Sequence, residues 1–499
     1  MTLIQLRRSQ SDTANPSFAA DCRFRPIRDK MLVTSLDGSF VLLCADDFHA
    51  FASGAVPPES ALYQRLRAAN LVRAEFDLKR AVSITSERKS FLRAGPNLHV
   101  IVVTLRCNET CVYCHASRAG MSATETDMSP PIAEKTVDLA LATTSHSVTL
   151  EFQGGEPLAN FGIVRHIIEY AKRRNATLGK SLEFTLVTNL GLMTEERMTY
   201  LLDQRVQICT SIDGPQALHD KQRKLAGGSA HRAAAFWIAR INQAYIERGL
   251  DPTLYHVEAL LTTTRDALAM PREIVDAYTS LGCRALFLRP VDPFGFASRA
   301  GARIEYPRDE YLTFYRAALD YMLALNRDGV EILERFAAIF LTKILTGTDP
   351  NYLDIRSPCG AGIGQVAYNY DGKIFTCDEG RMLHEMGDDT FLIGDVATSR
   401  YRELMSHPTV RALTIASNLD SQPDCVNCAY QPYCGVCPVH NHRTQGSVFG
   451  RMRESALCAV FKGIQDYLFE KIAENNPQTM RTFGKWTTVR ERSHYVQRC

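Results

Sequence analysis

The sequence predicts an α/β chain built on a parallel sheet, with a small α+β region before the sheet and a cysteine-rich region after it. Three observations carry this. From Pro96 to about Pro290, short apolar runs alternate with helical patterns, the rhythm of βα units. Cys107, Cys111 and Cys114 follow the first of those runs at x3 and x2 spacing. Seven more cysteines cluster between Cys359 and Cys458.

A chain of 499 residues and 55.8 kDa has room for two or three domains with cores of their own. We read five segments: an N-terminal hairpin and helix domain (1–95), the βα region (96–305), a helical bridge (306–350), the cysteine-rich domain (351–470) and a tail (471–499). A net charge of +2 and a pI near 7.9 give no reason to expect nucleic acid or an anionic membrane as partner. Met1 to Gln10 has no apolar h-region, and no apolar run approaches bilayer length, so a soluble, cytoplasmic protein is expected. Fifteen cysteines would suit a secreted disulfide protein, but their clustering and the lack of an export signal favour metal binding. Cys22, Cys44, Cys209, Cys283 and Cys499 lack such company and are expected to be ordinary thiols.

In the first segment, Lys30–Thr34 and Phe40–Leu43 flank a turn containing Asp37-Gly38, which predicts a β-hairpin. Asp46–Ser53 and Ser60–Ala69 read as short helices. In the βα region the expected strands are 99–105, 147–152, 182–188, 206–211, 256–261 and 285–289. Ile132–Ala142, Phe161–Arg174, Thr194–Gln204, His231–Arg248 and Pro271–Leu281 are the helices between them. Ligands of such folds bind where the carboxyl ends of the strands converge. Val291–Ala302, rich in Gly, Arg and aromatic residues, is expected to be a loop near the substrate mouth. Arg308–Arg327 and Glu331–Leu345 read as two amphipathic bridging helices.

The strand ends carry the chemistry. Three thiolates on one loop, Cys107, Cys111 and Cys114, can hold three irons of a [4Fe-4S] cluster and leave the fourth iron open. The alternative is zinc, which usually wants two ligand pairs. The second strand ends in Gln153-Gly154-Gly155-Glu156-Pro157, where two glycines let backbone approach a ligand without Cβ interference. Thr188-Asn189 ends the third strand, and Ser211-Ile212-Asp213-Gly214-Pro215 ends the fourth, followed by His219-Asp220 and Arg223. Asp213 suits a turn, and Leu260 and Leu261 suit the core.

The cysteine spacing, with Tyr113 just before the third cysteine, resembles the cluster motif of the radical S-adenosylmethionine (SAM) enzymes. That resemblance implies a partial (β/α)6 TIM-like barrel whose open iron chelates SAM. It also implies reductive cleavage of SAM to a 5'-deoxyadenosyl radical that removes hydrogen from a substrate. Under it, Tyr113 and the Gly154, Gly155, Glu156 and Pro157 turn are cofactor-binding, with Glu156 on the SAM ammonium group. Asn189 joins them, Ser211 is assigned to the ribose and Arg223 to the carboxylate.

In the cysteine-rich segment, Cys359 is followed by Gly372 and Cys377, then Cys425-x2-Cys428-x5-Cys434-x2-Cys437 and Cys458. This order is similar to the seven-cysteine SPASM extension, although its x2 before Cys437 replaces the usual x3. The likeness implies two auxiliary [4Fe-4S] clusters, an outer one on Cys425, Cys428, Cys434 and Cys458 and an inner one on Cys359, Cys377 and Cys437. The inner set is one ligand short, to be completed by a distant thiol such as Cys283 or by substrate. Such clusters accept the second electron when a substrate radical is oxidised. A nearby base is then needed, and Asp378, beside Cys377, is the candidate, its rival role being a turn residue.

The layout most closely resembles a paired maturase of systems that modify His-Xaa-Ser repeat peptides. The cues are the N-terminal hairpin, Cys-His-Ala-Ser-Arg from Cys114 to Arg118, and Cys-Gly-Ala-Gly-Ile-Gly from Cys359 to Gly364. The partners implied are a ribosomally made precursor peptide, whose leader the N-terminal domain could recognise, a reductant such as flavodoxin or ferredoxin, and a second radical SAM maturase. The rival readings are a sulfatase-maturase-like enzyme and a non-enzymatic iron-sulfur protein that shuttles electrons or binds peptide.

Overall fold

The computed structural model describes residues 18–497, so the Met1 to Gln10 segment and Cys499 lie outside the described residues. The chain divides into two units, Met1–Thr85 and Ser86–Cys499.

The first unit is a three-stranded antiparallel sheet, β1 (Cys22–Ile27), β2 (Lys30–Ser35) and β3 (Phe40–Leu43), with helices α1 (Ala45–Ser53) and α2 (Ala61–Ala68). The turn from β2 to β3 is held by buried Asp37, whose Oδ1 accepts from Ser39 N at 2.8 Å and whose Oδ2 accepts from Asn70 Nδ2 at 3.2 Å. Val33, Leu43, Phe51, Leu66 and Leu71 form its core. The hairpin and both helices stand where the sequence pattern puts them, but β1 is an addition. Its Arg23, Arg25 and Pro26 suit an edge strand, which gives up half its ladder to solvent. Helix α3 (Leu78–Arg88) runs in sequence across the boundary between units.

The second unit opens with β4 (Leu98–Val102) and the short β5 (Glu109–Cys111), then alternates α4 (Pro130–Leu141), β6 (Ser147–Gln153), α5 (Phe161–Asn175), β7 (Ser181–Val187), α6 (Glu195–Asp203) and β8 (Gln207–Ser211). Next come α7 (Gln216–Gln222), β9 (Arg223–Leu225), α8 (Ala230–Glu247), β10 (Glu258–Thr263), α9 (Pro271–Ser280), β11 (Ala285–Leu286), β12 (Leu288–Pro290) and α10 (Ala297–Ala300). Strands β12-β10-β8-β7-β6-β4 are parallel neighbours. Val148, Leu150 and Phe152 of β6 and Leu182, Phe184 and Leu186 of β7 are fully buried on one face, while the alternate residues are half-buried on the other. The alternation thus separates a greasy, helix-covered face from a polar inner one.

Helix α11 (Arg308–Arg327) spans its expected range, but the next helix, expected over Glu331–Leu345, does not. Leu333–Glu334 is instead strand β13, paired with β11, so the helix starts later: α12 covers Arg335–Leu341 and continues as a π-helical turn over Thr342–Thr346, close to the expected end. Buried Glu334 is the reason: its Oε2 accepts from Ala337 N at 2.7 Å, so it is the N-cap and the helix starts after it.

Beyond α12, β14 (Gln365–Tyr368) pairs in parallel with the free side of β4, and β15 (Lys373–Phe375), α13 (Asp378–His384) and β16 (Leu392–Asp395) follow. With β15 and β16 added antiparallel, the sheet has nine strands rather than the six the sequence suggests. Helices α14 (Tyr401–Met405), α15 (Pro408–Ala416), α16 (Pro438–Gln445), α17 (Ala456–Glu474) and α18 (Pro477–Trp486) complete the unit. At Gly463, a Cβ would sit 2.4 Å from the Leu312 side chain of α11, so the glycine lets α17 pass close to α11. No helix among the described residues is long and apolar enough to cross a membrane.

The β4–β14 junction carries a titratable core group. His99 is buried with Nδ1 3.2 Å from the Tyr368 hydroxyl, and burial lowers its pKa from 6.5 to about 4. The folded state therefore refuses a proton that the unfolded chain accepts. Stability is full above pH 6.5 and falls towards pH 4, by about 3 kcal/mol. We expect the urea midpoint of the metal-free protein to drop between pH 7.5 and 5, and the drop to shrink in His99→Phe.

Candidate functional site

The carboxyl ends of all six parallel strands meet at one cavity of about 220 Å³. Cys107, Cys111 and Cys114 reach it from the loop after β4, Gln153 to Gly155 from β6, Val187 to Asn189 from β7, Ser211 from β8, Leu260 to Thr262 from β10, and Arg289 and Pro290 from β12.

The cysteine loop is anchored from several directions. Its β5 strand pairs antiparallel with β9, Cys107 N donates to Ala119 O at 3.1 Å, and Cys114 O accepts from Phe296 N at 2.7 Å. Arg106 forms two hydrogen bonds to the Asp127 carboxylate, at 2.8 and 2.6 Å. The sulfurs face N–H groups: Glu109 N lies 3.4 Å and Asn189 Nδ2 3.7 Å from Cys107 Sγ, and Arg223 Nη1 lies 3.8 Å from Cys111 Sγ. Burial pushes the Cys107 thiol up to about 12 and raises the Cys111 thiol well above its ordinary value. The N–H groups aimed at the Cys107 and Cys111 sulfurs suit thiolates whose charge is spread over iron.

The glycine turn has a different purpose from the one its composition suggests. A Cβ on Gly154 would sit 2.1 Å from Thr104 O, and one on Gly155 2.3 Å from Leu105 O, so the glycines admit the cysteine loop's own backbone. Gly155 N and Glu156 N donate to Thr104 O and Arg106 O at 2.9 and 2.7 Å. Gly154 and Gly155 line the cavity, and Glu156 and Pro157 lie behind them outside its lining. The fully buried Glu156 carboxylate accepts from Thr188 Oγ1 (2.6 Å), Leu158 N (3.0 Å) and Asn189 N (2.7 Å).

Tyr113 and Arg223 converge on buried Asp213. Its Oδ2 accepts from the Tyr113 hydroxyl and from Arg223 Nε, the latter at 3.1 Å, and the guanidinium lies over the Tyr113 ring at 5.2 Å. Asp213 is therefore the buried counter-ion of Arg223 rather than a turn residue. Arg223 lines the cavity with its charge already paired, and Glu109, 4.0 Å away and 2% exposed, is a second partner. Asn189 and Ser211 line the cavity, as do half-buried Leu260 and buried Leu261. Sequence reasoning missed Glu109, His115, Arg118, Gln153, Arg289, Asp292 and Met382 in that wall. The continuation after Cys114 was the available signal for His115 and Arg118.

In the second cysteine region, Cys425, Cys428, Cys434 and Cys458 line one small cavity with Lys462, and Cys437 also borders it. Cys359, Cys377 and Cys437 share a separate buried cluster. Two of the latter are helix N-caps: Cys377 Sγ accepts from Gly380 N and Cys437 Sγ from His440 N, each at 3.4 Å. A helix N-terminus favours the thiolate, but burial outweighs it here and raises both thiols well above their ordinary value. Cys283 does not join them, and faces Cys209 and Tyr278. Asp378, the expected base, is buried in an ion pair with Arg381, Oδ1 to Nε 2.8 Å, and is committed to that pair.

The fourteen described cysteines are all free thiols. Among the described residues, no three Cys, His, Asp or Glu converge closely enough for a single ion. Zinc needs ligands at about 2.0–2.3 Å from one centre.

Residues 101–247 match the family model of the Radical SAM superfamily. Over 341 residues, 66% of this chain and 83% of the relative, the sequence is 24% identical to the cysteine-type anaerobic sulfatase-maturating enzyme of Clostridium novyi (strain NT). The solved structure of native anSMEcpe with bound AdoMet aligns with a TM-score of 0.63 at 17% identity, covering 78% of this chain and 99% of that one. Streptococcus suis SuiB bound to precursor peptide SuiA aligns with a TM-score of 0.52 at 13% identity, covering 87% and 98%. At these identities the structural likeness speaks for the fold.

The turn's role is open to a direct check. Gly155→Ala places a methyl group 2.3 Å from Leu105 O, and should cost at least about 1–3 kcal/mol and displace the cysteine loop. We expect a lower melting temperature and a loss of about four irons per chain on anaerobic reconstitution. Unchanged iron would show that the loop does not depend on the turn.

Proposed function

We propose, on the premise that this chain is a radical SAM enzyme, that it modifies a ribosomally made peptide by hydrogen abstraction. The observation that supports this best is the convergence of Cys107, Cys111 and Cys114 with six strand ends on one cavity. Cys107, Cys111 and Cys114 would hold the [4Fe-4S] cluster, which together with SAM supplies a 5'-deoxyadenosyl radical. The chain's own residues would bind and orient. The backbone of Gly154 and Gly155 and the side chains of Asn189 and Ser211 border the space for SAM, and the Tyr113–Asp213–Arg223 group sets the wall beside Cys111.

In this reading, Cys425, Cys428, Cys434 and Cys458 hold an outer auxiliary cluster and Cys359, Cys377 and Cys437 an inner one. They would take the second electron as the substrate radical is oxidised. A peptide substrate is supported by the fold shared with SuiB, whose structure holds a precursor peptide. The finer assignment, a His-Xaa-Ser system maturase working in the cytoplasm with flavodoxin or ferredoxin and a second maturase, rests on the motifs. Under it the N-terminal hairpin unit is the place for leader recognition.

A second reading, modification of a folded protein as by a sulfatase maturase, is favoured by the 24% identity to such an enzyme over 341 residues. The test is anaerobic reconstitution with iron and sulfide counts, and 5'-deoxyadenosine assayed after SAM and dithionite. We expect about twelve irons, about four fewer in a Cys107, Cys111, Cys114 triple alanine variant, and nucleoside only from the wild type. About four irons in the wild type would remove the auxiliary clusters, and no nucleoside from loaded protein would favour an electron-transfer or binding role. With His-Xaa-Ser and sulfatase peptides as competing substrates, a mass change confined to the sulfatase peptide would select the second reading.

A further inference from the structure

Two glycines of the Cys359–Gly364 run make room for a charge. A Cβ on Gly364 would sit 1.9 Å from Arg356 Nη2 and 2.7 Å from its Cζ, and one on Gly360 would sit 3.1 Å from Nη2. The guanidinium therefore lies against the chain that leaves Cys359, within about 9 Å of the Cys359 Cα. Arg356 is 2% exposed. Its Nε and Nη2 have no hydrogen-bond partner, and among the described residues no carboxylate pairs with it. What faces it is the ring of Phe91, whose centroid is 4.0 Å from Cζ. A desolvated cation over a ring gains about 2 kcal/mol, less than the several kcal/mol an ion loses on leaving water.

The other cations of this region are already answered. Arg381 pairs with Asp378 at 2.8 Å and Lys343 with Asp349 at 3.0 Å. Arg289 borders a small internal cavity with Cys437, but Asp292, Asp354 and Glu379 border it too. The outer set has Lys462 in its own cavity wall. Arg356 is thus a buried positive charge without an acid, placed beside the segment that carries the first inner cysteine.

We propose that Arg356 is the built-in counter-charge of the inner cluster and holds its reduction potential above the value it would have beside a neutral side chain. The proposal rests on the reading that Cys359, Cys377 and Cys437 bind a four-iron cluster. Thiolates and iron together carry net negative charge, and reduction adds one electron while making and breaking no bond. A fixed positive charge nearby therefore favours the reduced state. Arginine suits the position because it stays protonated when buried. Arg356 acts through its field, as a positioning residue rather than a ligand, and makes the inner cluster a better acceptor for the electron that leaves a substrate radical.

The test uses full-length protein carrying Cys107→Ala, Cys111→Ala and Cys114→Ala, so that only auxiliary clusters remain, reconstituted anaerobically and titrated with dithionite under EPR. We expect about eight irons in this parent and two one-electron midpoints. Cys359→Ser identifies the inner midpoint as the one it moves. Arg356→Met should lower that midpoint so that the reduced fraction at a fixed potential falls at least about tenfold, about 59 mV for one electron. The outer midpoint should move less, and Arg356→Lys should keep both midpoints near the parent's. An unmoved inner midpoint in Arg356→Met, a larger shift of the outer one, or an equal fall in Arg356→Lys would each overturn the proposal. If Arg356→Met does not load iron, Arg356→Lys decides: full loading at the parent's midpoints supports a need for charge. Loss of the inner irons in Arg356→Lys would show a need for shape and overturn it. About four irons in the parent, undiminished by Cys359→Ser, would instead overturn the underlying two-cluster reading.

Discussion

The site depends on one backbone contact, the approach of residues 104–106 to the turn at Gly154 and Gly155. Two hydrogen bonds, Gly155 N to Thr104 O and Glu156 N to Arg106 O, join the loop after β4 to the loop after β6. No side chain fits between them, since a Cβ on either glycine would lie within 2.3 Å of a carbonyl oxygen. The Glu156 carboxylate carries the same constraint to the next strand end, because it accepts from Thr188 and Asn189. Asn189 in turn points Nδ2 at Cys107 Sγ. Three loops are thus pinned in series by backbone groups and one buried carboxylate, and the first cysteine is positioned at the end of that series.

On the other side of the cavity the constraint is electrostatic. Asp213 is buried and Arg223 mostly so, and a buried charge is tolerable only when paired and hydrogen-bonded. Tyr113 ties the pair to the cysteine loop through its hydroxyl and its ring. Cys111 therefore sits beside a fixed positive group whose own charge is answered by Asp213 and Glu109. Such an arrangement steadies an anionic sulfur without leaving a free cation in the cavity.

Much of the architecture is legible in the sequence because its signals are local. The βα alternation locates the six parallel strands, and the spacing of Cys107, Cys111 and Cys114 and of Cys425 to Cys458 marks which loops gather sulfur. What escapes has long-range causes. Strand β1 hides behind its arginines and proline, and β14 looks like loop until β4 is seen to lack a neighbour. The inward turn of Glu156 follows from donors 32 and 33 residues away, and the Asp213–Arg223 pair from a loop that doubles back. Asp378 and Glu379 are adjacent in the chain, yet only Asp378 meets Arg381. That distinction comes from the first turn of α13 and not from composition.

The parallel pairing of β4 with β14 has a consequence for synthesis. Residues 98–102 emerge from the ribosome more than 260 residues before 365–368, their neighbours in the sheet. Until then β4 presents an unpaired edge of apolar residues, the kind that recruits other strands. The cysteine-rich region is therefore also what seals the barrel sheet. A nascent chain halted near residue 350 would expose that edge, and protection from aggregation during translation is a requirement written into the order of the strands.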